Sequence, residues 1–303
     1  MRCSKLLETT ELGDIQLANF GKPIALSEEQ IKTDVVDKFL FTAKFASEQG
    51  FDGVQIHGAH GYLLSSFLSP TTNNRMDKYG GSVENRFRVI REIYDAIRKE
   101  IDTSTGFLVG IKMNSVEYQN RGLGIEDAKA IAELVEKCGF DFVELSGGTY
   151  EQSAFMHKRE STRKREAFFL EFAEQLRPCF EKTVVYLTGG FRTAPAMVRA
   201  IADKATDGIG LGRPITAEPA PDTKLDPDNF QLALQACLLQ MAQMGKHPLS
   251  ELRSVCDEIA DLSHPDEAEN FKKAIDAHSK KMEEAAKRNE ILFRAIDYKN
   301  IVQ

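Results

Sequence analysis

No apolar run in this 303-residue chain reaches the ~18 residues that a membrane-spanning helix needs, which excludes a helical membrane protein. A polyanion-binding surface is excluded as well, because acidic residues outnumber basic ones and the net charge is −7. The N-terminus carries Glu8, Glu11 and Asp14 where a secretory leader would need an apolar core. Cysteine is sparse and unpatterned: Cys3, Cys138, Cys179, Cys237 and Cys256 are odd in number and form no CxxC pair. That usage excludes a disulfide scaffold and points to reduced, mostly buried thiols in a cytoplasmic setting. What remains, 42% hydrophobic and 28% charged residues, is the composition of a soluble globular chain with room for one large α/β domain.

From residue 27 to about 215, short β-branched runs alternate with amphipathic helices. Ser27-Glu28-Glu29-Gln30 reads as an N-cap with an acidic first turn. The helix behind it sets Val35, Phe39, Phe41, Ala43 and Phe45 among polar residues and stops at Gly50. The pattern then predicts a strand over Asp52–His57, a loop of about two dozen residues, and a helix capped by Ser82 with Phe87, Ile90, Ile93, Tyr94 and Ile97 on one face. Further on it predicts strands Phe107–Met113, Phe140–Leu145, Thr183–Leu187 and Asp207–Leu211. Between them fall helices Ile125–Cys138, Ala167–Leu176 and Ala194–Ile201. Strands separated by helices make parallel βαβ units, in a barrel or a doubly wound sheet. The tail reads as three helices, Asp228–Met244, Pro248–Leu262 and a long Lys/Glu-rich one from Pro265, with Phe271, Ile275 and Met282 among its apolar positions.

The densest chemistry lies in Asp52-Gly-Val-Gln-Ile-His57-Gly-Ala-His60-Gly-Tyr62. An apolar strand delivers two imidazoles and a phenol to its C-terminal end, where (β/α) barrels build their active sites. His-x-x-His can ligate zinc, but no third ligand follows at a sensible spacing; the blander alternative is satisfied side chains at a loop entrance. Lys112, in Gly110-Ile-Lys-Met-Asn-Ser115, ends the next strand. A cation inside a barrel mouth needs a partner to offset its desolvation, and Glu144 of the following strand is one candidate. Thr188-Gly189-Gly190 and Leu211-Gly212-Arg213 each place glycine after an apolar strand, where backbone N–H groups and an arginine can cradle a phosphate. Plain packing turns are the alternative.

Together with Leu63-Leu-Ser-Ser-Phe-Leu-Ser-Pro70 through Arg75-Met-Asp-Lys-Tyr79-Gly-Gly-Ser82-Val-Glu-Asn-Arg86, the histidine segment resembles the Old Yellow Enzyme family of FMN-dependent NAD(P)H oxidoreductases, over roughly residues 10–220. The resemblance implies a (β/α)8 TIM-barrel type that is incomplete here, with five of eight strands, the fourth to the eighth. It implies a connector over 1–26, the barrel part over 27–220 and a helical extension over 221–303. It implies FMN as cofactor, NADH or NADPH as hydride donor, and an electron-poor alkene such as an enone as substrate. His57 and His60 would polarise the substrate carbonyl, and Tyr62 would donate the proton. Lys112 would hold reduced flavin at its negative edge, where the family often has arginine; Gly189, Gly190, Gly212 and Arg213 would hold its phosphate. Arg75, Tyr79, Asn85 and Arg86 would hold the long loop. No nucleic-acid, membrane or metal partner is implied, while unpaired barrel edges invite a homo-oligomer that covers them. The alternative is a flavin-free remnant or isoform with a binding or regulatory role or no activity. A phosphate-binding aldolase or isomerase barrel also fits the glycine turns, but leaves the His57-His60-Tyr62 set unexplained.

Overall fold

A computed structural model describes residues 24–117, 121–149, 167, 169–191, 193–212 and 264–288. The chain divides into two compact units, Met1–Gly210 and Leu211–Gln303.

In the first unit, five parallel strands run β1 (Gly53–Gly58), β2 (Leu108–Asn114), β3 (Phe142–Ser146), β4 (Val184–Thr188) and β5 (Gly208–Gly210), hydrogen-bonded in chain order 1-2-3-4-5. Sequential order decides between the two architectures left open by the sequence. A doubly wound sheet reverses strand order at a switch point and carries helices on both faces; this sheet does neither. One face is sealed: Ile56, Val109, Ile111, Met113, Val143, Leu145, Val185 and Leu187 are fully buried or nearly so. The other face is the inner wall of a partial barrel, and Leu108, Val184 and Tyr186 on it are exposed.

Helix α1 begins at Ser27, whose Oγ accepts from the Gln30 N–H while the Gln30 side chain accepts from the Ser27 N–H. This reciprocal capping satisfies two of the helix's orphan donors. The helix runs through Glu28–Gln30, a π-helical stretch Ile31–Val36, and Asp37–Glu48. Ile31, Val35, Val36 and Ala43 are buried, whereas Phe41 and Phe45 stack on each other in solvent. The wider π turn shifts the face that the later residues present.

The two-dozen-residue loop contains an unforeseen helix, α2 (Leu63–Leu68), with Leu64 through Leu68 buried. Helix α3 (Val83–Glu100) is capped by Ser82 and buries Phe87, Ile90, Ile93, Tyr94 and Ile97. Next come α4 (Ile125–Cys138), α5 (Leu170–Leu176) and α6 (Ala194–Ala202). Helices α1 and α3, α3 and α4, and α4 and α5 pack as successive neighbours. The strand starts are tied by carboxylates: Asp141 takes the Val109 N–H and pairs with Arg98, and Asp207 takes the Val185 N–H and pairs with Arg177.

In the second unit, α7 (Pro265–Lys287) buries Ala268, Phe271, Ala274 and Ile275. The expected helices Asp228–Met244 and Pro248–Leu262 lie outside the described residues. No helix among the described residues is long and apolar enough to cross a membrane.

Candidate active site

The site is assembled from a strand end and a tight turn. β1 delivers His57 to the inner face, directly opposite Lys112 of β2. Two residues later the chain reverses: His60 and Gly61 have φ of 63° and 78°, and the Tyr62 N–H reaches back to the Ala59 carbonyl at 3.4 Å. Positive φ at both central residues is the signature of a type I′ turn. Gly61 adopts it without strain, whereas His60 carries a Cβ into the left-handed region, where non-glycine residues are uncommon. The turn brings the three side chains together. The His57 ring centroid lies 5.2 Å from that of His60, edge-on, and 5.4 Å from that of Tyr62. Tyr62, 53% exposed, sits where α2 begins.

Burial lowers the pKa of His57; the Lys112 cation lowers it further, and Glu144 opposes them. A neutral imidazole is therefore favoured at neutral pH, with one nitrogen able to donate and the other to accept. A lowered folded value means that the stability this environment contributes is present above the ordinary histidine range, about 6.5. It is lost as pH falls through the lowered value. Replacing Lys112 by Met is expected to raise the His57 pKa, since the lowering charge goes and Glu144 is left unpaired. Ring-proton NMR titration reads this directly, and an unmoved or lower value contradicts it.

Lys112 donates to Glu144 Oε1 at 2.6 Å, and Gln55 Nε2 donates to Glu144 Oε2 at 2.9 Å. Of the two roles the sequence offers Lys112, a cofactor contact and an ion pair with Glu144, the ion pair is formed. Register explains it, because Lys112 and Glu144 are paired positions on the inner face of β2 and β3. Gln55 was not singled out in the sequence, although its position two residues before His57 places it on the same face of the strand.

Gly189 and Gly190 follow β4 with φ of 109° and 82°. A Cβ on Gly189 would meet the Phe169 ring at 2.7 Å, and one on Gly147 would meet the same ring at 2.6 Å. Phe169, 2% exposed, thus packs over both turns, a constraint invisible in sequence. At Gly212, in the second unit, no atom of the described residues lies within 4 Å of where a Cβ would stand, so their packing does not demand glycine there. Arg213 lies outside the described residues.

The loop after α2 is tied as expected. Arg75 pairs with Asp77 and donates to the Leu26 carbonyl, and Asn73 donates to the carbonyls of Phe67 and Tyr79. Tyr79 donates to Glu92, Asn85 to the Gly80 carbonyl, and Arg86 to the carbonyls of Leu68 and Gly81 and to Asp127. No group of three His, Cys, Asp or Glu side chains among the described residues is arranged to hold a metal ion.

Residues 9–228 match the model of the NADH:flavin oxidoreductase / NADH oxidase family. The chain belongs to that family. It is 40% identical over 254 residues to the NADH-dependent flavin oxidoreductase nadA of Aspergillus parasiticus, covering 79% of this chain and 55% of that one. It is 31% identical over 198 residues to the NADH oxidase of Thermoanaerobacter brockii, covering 65% and 30%. Among solved structures it is similar to a 2-naphthoyl-CoA reductase complex, with a TM-score of 0.61 at 26% identity over 67% of this chain and 30% of the other. Morphinone reductase gives 0.52 at 26% identity over 70% and 52%. The chain spans about half the length, or less, of the curated relatives it matches.

The family is FMN-binding, and the donor set on the inner face fits a flavin. The pyrimidine edge of a flavin presents carbonyl oxygens on either side of one N–H. Lys112 and Gln55 are donors and Glu144 is an acceptor, the group types such an edge needs, and in this structure the two donors are both turned onto Glu144.

Proposed function

We propose that this NADH:flavin oxidoreductase relative is an FMN-dependent enzyme that reduces an electron-poor alkene of the enone type with NADH or NADPH. FMN, held beside Lys112 and Gln55, would supply the two-electron chemistry that links nicotinamide oxidation to alkene reduction. The names of the relatives favour NADH as donor. His57 and His60 bind the substrate carbonyl and draw electron density from the alkene. Tyr62 Oη gives its proton to the α-carbon. Lys112 and Gln55 hold the flavin's acceptor edge, and the positive-φ glycines Gly189 and Gly190 take its phosphate. The observation that carries this reading is the convergence of His57, His60 and Tyr62 on the inner face beside Lys112.

The catalytic domain is taken as 27–220 with 221–303 as a helical extension, working in the cytoplasm, where Cys138 and Cys179 stay as free thiols. A homo-oligomer would cover the edges of β1 and β5, which pair with no further strand among the described residues. The test is anaerobic oxidation of NADH and NADPH with FMN and a cyclic enone. Consumption that requires both FMN and enone, with formation of the saturated ketone, supports the proposal. Consumption indifferent to either overturns it. The exposed Leu108, Val184 and Tyr186 of the inner face favour a second reading, a flavin-free binding role, under which neither cofactor nor enone is turned over.

A further inference from the structure

We infer that Asn114 and Ser146 are positioning residues that hold His60 in place and select its Nδ1–H tautomer; the catalytic meaning of this rests on the function proposed above. The two residues are paired positions at the C-terminal ends of β2 and β3, and both are buried, at 2% and 4% exposure. Each grips a different part of His60. Asn114 Oδ1 accepts from the His60 backbone N–H at 3.2 Å, and Ser146 Oγ lies 2.8 Å from His60 Nε2. A parallel bridge to Thr149 holds the His60 backbone from the β3 side as well.

The grip has a reason. His60 is a non-glycine residue at positive φ, a conformation that persists only where its surroundings over-determine it. Asn114 contributes through its oxygen: its Nδ2 is buried without a hydrogen-bond partner, and such an orphan donor is costly. The bond to the His60 N–H is what the Asn114 side chain contributes against the cost of that orphan among the described residues. Ser146 is itself immobilised, since its carbonyl accepts from both the N–H and the Oγ–H of Ser115, each at 2.7 Å.

The tautomer follows from the chemistry of a neutral imidazole, in which one nitrogen donates and the other accepts. If Nε2 donated to Ser146, Nδ1 would be an acceptor and could give nothing to a substrate carbonyl. A carbonyl-binding His60 therefore requires Ser146 Oγ–H to donate to Nε2, leaving the ring proton on Nδ1. In this arrangement Ser146 sets which nitrogen is the donor, and Asn114 sets where the ring stands.

The experiment is ¹⁵N NMR of the full chain with labelled histidine, the His60 signals being assigned against His60→Gln. The variants are Ser146→Ala, Ser146→Thr, Asn114→Leu and Asn114→Asp. Nδ1–H is expected in the parent and in Ser146→Thr, with the proton moving toward Nε2 in Ser146→Ala. Asn114→Leu should shift the His60 backbone amide, and Asn114→Asp, which keeps the acceptor, should restore it. Alkene reduction should fall about 10–100-fold in Ser146→Ala and Asn114→Leu, the scale of a misplaced catalytic group, with FMN affinity unchanged. An Nε2–H tautomer in the parent, or His60 signals indifferent to Ser146→Ala, overturns the inference. The NMR arm needs no flavin, so a chain that retains no FMN overturns the proposed function while the tautomer result still decides this one.

Discussion

Replacing Tyr62 by Phe is expected to slow alkene reduction by about 10²–10⁴-fold, the usual contribution of a positioned general acid, while FMN reduction by NADH or NADPH stays within a few-fold. The asymmetry arises because only the alkene step needs a proton delivered to carbon. The substitution keeps the ring in contact with His57, keeps the backbone turn from Ala59, and removes one oxygen from a side chain that is half exposed. Folding should therefore be untouched, and the loss can be read as chemistry. Rapid-mixing measurement of the two half-reactions separates them. Equal loss in both, or none in either, removes Tyr62 from the proton-donor role.

Replacing Arg86 by Met is expected to lower stability by about 2–4 kcal/mol. Its guanidinium is 8% exposed and donates to the Leu68 carbonyl at 2.8 Å, the Gly81 carbonyl at 2.8 Å and Asp127 at 2.9 Å. Removing it leaves two carbonyls and a carboxylate without the donor they share, and frees both ends of the segment between α2 and α3. For a domain of this size the loss corresponds to roughly 5–15 °C in Tm. Lys32→Met is the control. Lys32 meets Asp37 at 2.8 Å, but both side chains are about half exposed, so its loss should cost less than about 0.5 kcal/mol. Paired thermal melts settle the comparison; equal shifts would contradict the assignment of Arg86 as the anchor.

The barrel wall was legible because β1 to β4 are short apolar runs whose alternate residues are sealed on one face, and because Ser27 and Ser82 announce their helices through side-chain caps. The Leu63–Leu68 helix was not, since six residues give too few turns for a helical period to emerge from a uniformly buried run. His57, His60 and Tyr62 could be singled out because they are adjacent in sequence. Their supports could not. Glu144 lies 32 residues from Lys112 and 89 from Gln55, and Ser146 lies 86 from His60; only strand register brings them together. Phe169 illustrates the same limit, because Gly189, which reads as part of a phosphate cradle, makes room together with Gly147 for one ring.

The proposed chemistry depends on whether this chain holds FMN. The decisive measurement is the visible absorption spectrum of the size-fractionated 303-residue protein after incubation with excess FMN. Flavin absorbance is expected to co-elute with a compact, monodisperse protein peak and to be lost when Lys112 is replaced by Glu. A colourless peak would contradict it and would favour the flavin-free binding role.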